Sequence, residues 1–208
     1  MGPQSHNQAL KVTITTKLSV IFLAALILAI GWPRVSSTIS ATNATIVTEE
    51  SPFDSRKVVP FVPTPQRVVD KMIELARVKE GDVVYDLGSG DGRIVIAAAK
   101  KGAKAVGFEI DPELVGTARE NIKKAGVQER AEIRNQDIFT ADFSGASVIT
   151  LYLLPDVNLK LKPKLLRQLK PGSRVVSHAF SMGNWKPERT QDIDGRTIYL
   201  WIIPAGRR

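Results

Sequence analysis

The stretch 83–96, VVYDLGSGDGRIVI, constrains this chain more than any other. A short apolar run ends in an acid, three alternating glycines follow, and a second apolar run begins. That order is a strand, a tight turn and the start of a helix. Gly88, Gly90 and Gly92 leave no side chains in the turn, so a ligand can lie against the backbone. Ser89 stands between the first two. Dinucleotide sites carry the spacing G-x-G-x-x-G, with a pyrophosphate on the helix N-terminus. Here the spacing is D-x-G-x-G-x-G, and Asp86 and Asp91 bring two carboxylates to the turn. Two acids repel phosphates and suit a ligand that carries an ammonium group.

The residues on either side extend this unit into a domain. Thr64 and Pro65 predict a helix start, with Thr64 as N-cap and Pro65 at the first helical position. Val69, Met72, Ile73 and Ala76 then share one face. The first strand starts at Val83, and a crossover helix is expected over 92–101. A second strand is expected over 105–109, and Asp111-Pro112 opens a helix to about Ala125. Further strands are expected over 131–134, 147–153 and 174–179, with a helix over 157–169. Asp194-Gly195 is a hairpin signal and 197–203 a final strand. Alternating strands and helices imply a parallel sheet covered on both faces. The terminal hairpin adds antiparallel strands to it.

Ligands of such sheets sit at the carboxyl ends of the strands. The acids collect there. Asp86 and Asp91 flank the first turn, Glu109 ends the second strand and Asp137 follows the third. D-x-G-x-G-x-G with these acids resembles motif I of class I S-adenosylmethionine (SAM) methyltransferases. The resemblance implies an α/β fold, a doubly wound, mostly parallel seven-stranded sheet with a C-terminal antiparallel hairpin. SAM is the cofactor it implies. Asp86, Gly88, Ser89, Gly90, Asp91 and Gly92 would hold the methionine part. Glu109, with Ile110 beside it, would accept from both ribose hydroxyls, since a carboxylate presents two oxygens to a diol. Asp137 and Ile138 would border the adenine. NAD is the competitor, because Glu109 would serve its ribose equally. The third glycine comes one residue too early for that fingerprint, and Asp86 would crowd the pyrophosphate.

The 208 residues suffice for one α/β domain and an appendage. A formal charge of +8 permits a nucleic acid, an anionic membrane or an acidic protein as partner, but the basic residues are dispersed. The absence of cysteine excludes disulfides, thiol catalysis and Cys-ligated zinc. His6 and His178 are far apart, so no metal is expected. Three segments are read: 1–34, a basic start with an apolar run; 35–57, a Ser/Thr/Asn-rich flexible linker; and 58–208, the domain. The run 18–32, LSVIFLAALILAIGW, would make a hydrophobic helix about 22 Å long. A bilayer core is about 30 Å thick. Extension back to Val12, with Lys17 snorkelling, reaches spanning length. The run reads as an uncleaved anchor or as a signal peptide of an exported protein, cut near 40–44. Lys11 and Lys17 against Arg34 would turn an anchored domain outward. SAM is made and kept inside cells, which turns it inward. The expectation is therefore a membrane-anchored protein with its domain on the SAM-containing, cytoplasmic or matrix side.

The acceptor is read from the fourth strand onward. Enzymes that methylate base amino groups often carry N/D-P-P-Y/F at its end. This chain has Leu151-Tyr152-Leu153-Leu154-Pro155-Asp156 there, so no nucleic-acid partner is expected. VPFVPTP, DLGSGDGRIVIAAA, TLYLLP and SHAFSMGNWKP, in this order across 59–205, look like a family of protein-lysine methyltransferases. That family includes broad-specificity archaeal enzymes and membrane-anchored mitochondrial enzymes acting on membrane proteins of energy conversion. The partner it implies is a protein lysine. By position, Tyr152 and Pro155 would line the methyl-transfer channel, and 61–64 would form its opposite wall. His178 could accept a proton, or be a satisfied structural histidine. Asp156 could attract the substrate ammonium, or cap a helix. A small-molecule methyltransferase acting on a lipid or quinone is the alternative, and a non-catalytic SAM-binding module the third reading.

Overall fold

The computed structural model describes residues 61–206. The glycine turn organises them. Strand β1 (Val83–Leu87) runs into it, and helix α2 (Arg93–Lys100) leaves it with Gly92 as N-cap. Gly88, Gly90 and Gly92 hold φ of +76°, +51° and +82°. Side chains resist that left-handed region, so three non-glycine residues would strain the turn.

The other elements follow in alternation. Helix α1 (Gln66–Leu75) precedes β1. Strand β2 (Lys104–Glu109), helix α3 (Pro112–Lys124) and strand β3 (Ala131–Asn135) come after α2. Then come β4 (Val148–Leu151), α4 (Pro155–Gln168), β5 (Arg174–His178), β6 (Arg189–Ile193) and β7 (Arg196–Ile202). The strands form one seven-stranded sheet in the order β3-β2-β1-β4-β5-β7-β6. β1 to β5 are parallel, and β7 pairs antiparallel with both β5 and β6. The order reverses at β1, between β2 and β4, which is where such a sheet opens a crevice.

Both faces are covered. Val69 and Met72 of α1, Val95 and Ala98 of α2, and Val115 and Ile122 of α3 share one buried cluster. Leu161 and Leu165 of α4 pack with Phe108, Phe143 and Trp201 in the other. The expected doubly wound sheet with its terminal hairpin is present. Asp194 and Gly195, at φ of +54° and +76°, make the hairpin turn.

The differences are local. Thr64 does not cap α1. Pro65 stands at the N-cap, with no side-chain bond to the helix. The Thr64 hydroxyl instead meets His178, 114 residues away. β4 ends at Leu151 rather than 153, because Pro155 already opens α4. Asp156 lies in the first turn of that helix and is not its cap.

The expected N-terminal hydrophobic helix, 18–32, and the linker 35–57 lie outside the described residues. The expected membrane-anchored location is corrected: among the described residues no helix is long and apolar enough to cross a membrane.

Candidate functional site

A cavity of about 320 Å³ opens at the carboxyl ends of β1, β2 and β4. Asp86 enters it from the end of β1. The β1–β4 register sets Asp86 opposite Thr150, whose hydroxyl donates to Asp86 Oδ1 at 2.7 Å. Asp86 is only 2% exposed. Burial raises its carboxyl, the Thr150 bond pulls it down, and the charges of Glu109 and Asp91 raise it again, so that it is pushed up to about 7. The charges that face this acid are negative, so the site is short of a cation.

Glu109 ends β2 and is likewise buried. Its Oε2 accepts from the Gly90 N–H at 2.9 Å, and its Oε1 from the Ile110 and Asp111 N–H groups at 2.9 and 3.0 Å. One carboxylate thus joins the glycine turn to the start of α3. Asp137 accepts from the Phe139 N–H at 2.8 Å, which closes a tight turn after β3. Lys164 of α4 holds that turn from behind, donating to the Ile138 and Phe139 carbonyls.

Asp91 has its own cation. Arg93 donates from Nε at 2.9 Å and from Nη2 at 2.5 Å to the Asp91 carboxylate. Burial alone would raise the Asp91 carboxyl, but the Arg93 bonds and charge outweigh it and hold it low. The two acids of the turn are therefore unequal. Among the described residues Asp91 is paired with a cation and Asp86 is not.

The opposite side of the cavity is aromatic. Tyr152 lies with its ring 4.0 Å from that of His178 and stacked at 6.2 Å, 16°, with Phe180. Ala179, at φ +63°, turns the chain between His178 and Phe180. A left-handed non-glycine residue beside a cavity stores strain that the surroundings must hold. The Ser177 hydroxyl donates to the Phe180 carbonyl at 2.6 Å and helps to hold it. His178 is 2% exposed, and burial followed by the Arg196 charge push its imidazole down to about 4.

Of the residues singled out in the sequence, Asp86, Gly88, Ser89, Asp91, Glu109, Ile110, Asp137, Ile138 and Tyr152 line the cavity. Gly90, Gly92, Pro155 and His178 do not. Gly90 lies beneath Phe61: a Cβ there would sit 2.1 Å from Phe61 Cε2. Gly92 lies against α3, where a Cβ would meet Ala118 at 3.1 Å. Pro155 is an exposed helix start. His178 stands behind Tyr152, and an imidazole at about 4 is a poor proton acceptor near neutrality. Burial and the Thr64 contact favour the structural alternative for this histidine. Arg93, Thr150 and Phe180 join the site without standing out in the sequence. Arg93 is signalled only by the spacing Asp-x-Arg, and Phe180 only by its place after the fifth strand.

Residues 86–189, half of the chain, match the family described as the ANTKMT methyltransferase domain. A protein-lysine N-methyltransferase from Saccharolobus islandicus (strain REY15A) is 49% identical over 151 residues, covering 70% of this chain and 94% of that relative. The chain belongs to this protein-lysine methyltransferase family. The methyltransferase is also 36% identical to a Homo sapiens lysine N-methyltransferase named for a component of the ATP synthase, over 80% of this chain and 71% of that one. A crystal structure described as an RNA methyltransferase from Salinibacter ruber, in complex with S-adenosyl-L-homocysteine, shares 60% identity and a TM-score of 0.69. It covers 71% of this chain and 97% of its own. The methyltransferase is thus an enzyme of the Rossmann-like SAM-dependent class. S-adenosyl-L-homocysteine is what SAM becomes after giving up its methyl group.

Proposed function

We propose that this enzyme methylates lysine side chains of a protein substrate, using the cavity at the ends of β1, β2 and β4 for both donor and acceptor. The observation that carries the reading is the buried Asp86, which faces two negative charges in a family of protein-lysine methyltransferases. Asp86 and the glycine turn would take the ammonium-bearing methionine part. Glu109 would accept from the ribose diol with the remaining one of its about four lone-pair sites, the other three being taken by the Gly90, Ile110 and Asp111 N–H groups. Asp137 and Ile138 would border the adenine. Ser89 supports this fit, because its buried hydroxyl has no partner among the described residues and the residue lines the cavity.

SAM, when bound, supplies a sulfonium methyl and leaves as a neutral thioether. The protein must present a neutral amine to it. A free lysine has a pKa near 10.4 and is neutral about once in 2,500 molecules at pH 7. Tyr152 and Phe180 offer a dry wall against which an ammonium loses hydration, which favours the neutral form. They also restrict the amine to one line of approach, which is worth a large share of the barrier. His178, held down to about 4 by burial and standing behind Tyr152, is a weak acceptor for that proton.

The test uses the full chain with methyl-labelled SAM and, separately, protein, RNA and lipid fractions. Methyl-lysine in digested protein is the expected result. The description of the Salinibacter ruber structure favours RNA as a second reading. Label confined to RNA would establish that reading, and label confined to lipid or quinone the small-molecule one.

A further inference from the structure

The segment 61–64 runs across the cavity ahead of α1 without regular secondary structure. Phe61 and Val62 are 43% and 60% exposed, whereas Thr64 is 4% exposed. Nothing in the α1 helix requires this course, because Thr64 makes no cap there. Two ties hold the segment instead. The Thr64 carbonyl accepts from Arg93 Nη1 at 2.8 Å, and the Thr64 hydroxyl meets His178 Nδ1 at 3.2 Å. Arg93 spends its other nitrogens on Asp91, in the glycine turn. Its planar fork therefore joins the segment to the turn. A lysine, with one nitrogen, cannot make both bonds in that geometry. At the far end of the segment, the Phe61 ring lies on the bare backbone of Gly90, which is buried beneath it.

We infer that Arg93 is a positioning residue for the methyl donor: by tying the Thr64 carbonyl to Asp91, it holds 61–64 as a strap whose Phe61 closes the donor site over Gly90. The strap sits on the side of the glycine turn proposed to take the methionine part, so it covers the charged end of the donor. Excluding water there strengthens the Asp86 attraction for an ammonium. A loosened strap admits water and speeds donor and product release. The inference rests on the reading that this cavity binds SAM.

The test is calorimetric binding of S-adenosyl-L-homocysteine to the full chain, to Arg93→Met, to Phe61→Ala and to the double variant. Wild-type binding establishes the donor site; its absence would overturn the underlying reading rather than the strap alone. Each single variant is expected to weaken binding by about tenfold or more. The double variant is expected to lose little more than the worse single one, because both changes open the same strap. Arg93→Lys is expected to recover only part of the loss. Single variants within twofold of wild type would overturn the inference. So would losses that multiply in the double variant, which would mark two independent structural effects. Should Arg93→Met fail to fold, Phe61→Ala decides alone, since Phe61 is exposed and outside both core clusters.

Discussion

Asp86 sets the strongest expectations for single residues. In the folded protein its carboxyl stands at about 7 instead of 3.8, with burial the largest cause. The folded chain therefore keeps a proton that the unfolded chain has lost, and stability falls as pH rises from about 4 to about 7. His178 acts in the opposite sense. Lowered from 6.5 to about 4, it stays neutral where the unfolded chain is protonated, so its contribution rises with pH across that window. Asp86→Asn removes the first slope and leaves the second. Its melting temperature relative to wild type is expected to climb from pH 4 to pH 7 and then level off, as read by thermal unfolding without ligand. The same variant is expected to weaken S-adenosyl-L-homocysteine binding by about tenfold or more. Wild-type affinity is expected to fall with acid below about 7, where the ammonium must first displace the Asp86 proton. A variant that gains stability and keeps affinity would place the ammonium elsewhere.

Between elements, two contacts make separable claims. Asp111 caps α3 by accepting from the Glu113 N–H at 2.8 Å, with Pro112 in the first turn. Asp111→Ala is expected to cost about 1 kcal/mol in denaturant unfolding. Lys164 reaches from α4 to the Ile138 and Phe139 carbonyls and lies 4.8 Å over the Phe143 ring. Lys164→Met keeps the stem and loses the bonds. Steady-state kinetics are expected to show the KM for SAM rising several-fold with kcat little changed, because the turn carrying Asp137 and Ile138 loosens. A fall in kcat alone would remove Lys164 from the donor side.

These same elements show what a sequence can and cannot reveal. The Asp111-Pro112 cap is legible because its partner lies two residues away. Thr64-Pro65 carries the same signature and misleads, because a buried histidine from β5 takes the Thr64 hydroxyl. The fourth strand is shorter than its pattern suggests because Tyr152, Leu153 and Leu154 continue the apolar run, and only Pro155 marks the helix. Glu109 is legible as an acid at a strand end, but not as the group that binds three backbone N–H groups at once. Asp91 reads in sequence as a second acid for a cation, whereas Arg93 already occupies it. The aromatic wall is half visible: Tyr152 through TLYLLP, Phe180 only by its place in SHAFSMGNWKP after the fifth strand.

At the scale of the molecule, the sheet order explains how one cavity would serve the two proposed ligands. β1 stands where the order reverses, with β2 on the proposed donor side and β4 on the proposed acceptor side. The acids come from β1, β2 and the turn after β3; the aromatic wall comes from beyond β4 and β5. The glycine turn lies between them and identifies the donor. The acceptor depends on the second half of the domain, and on the relatives that share it. The most direct measurement is therefore of the acceptor itself. The full chain, methyl-labelled SAM and a cellular protein extract are combined, and the protein is digested and analysed by mass spectrometry. Methyl groups on lysine side chains, lost in Asp86→Asn, are the expected result. Label that never reaches a lysine, while the wild-type enzyme binds S-adenosyl-L-homocysteine and methylates RNA or lipid instead, would contradict it.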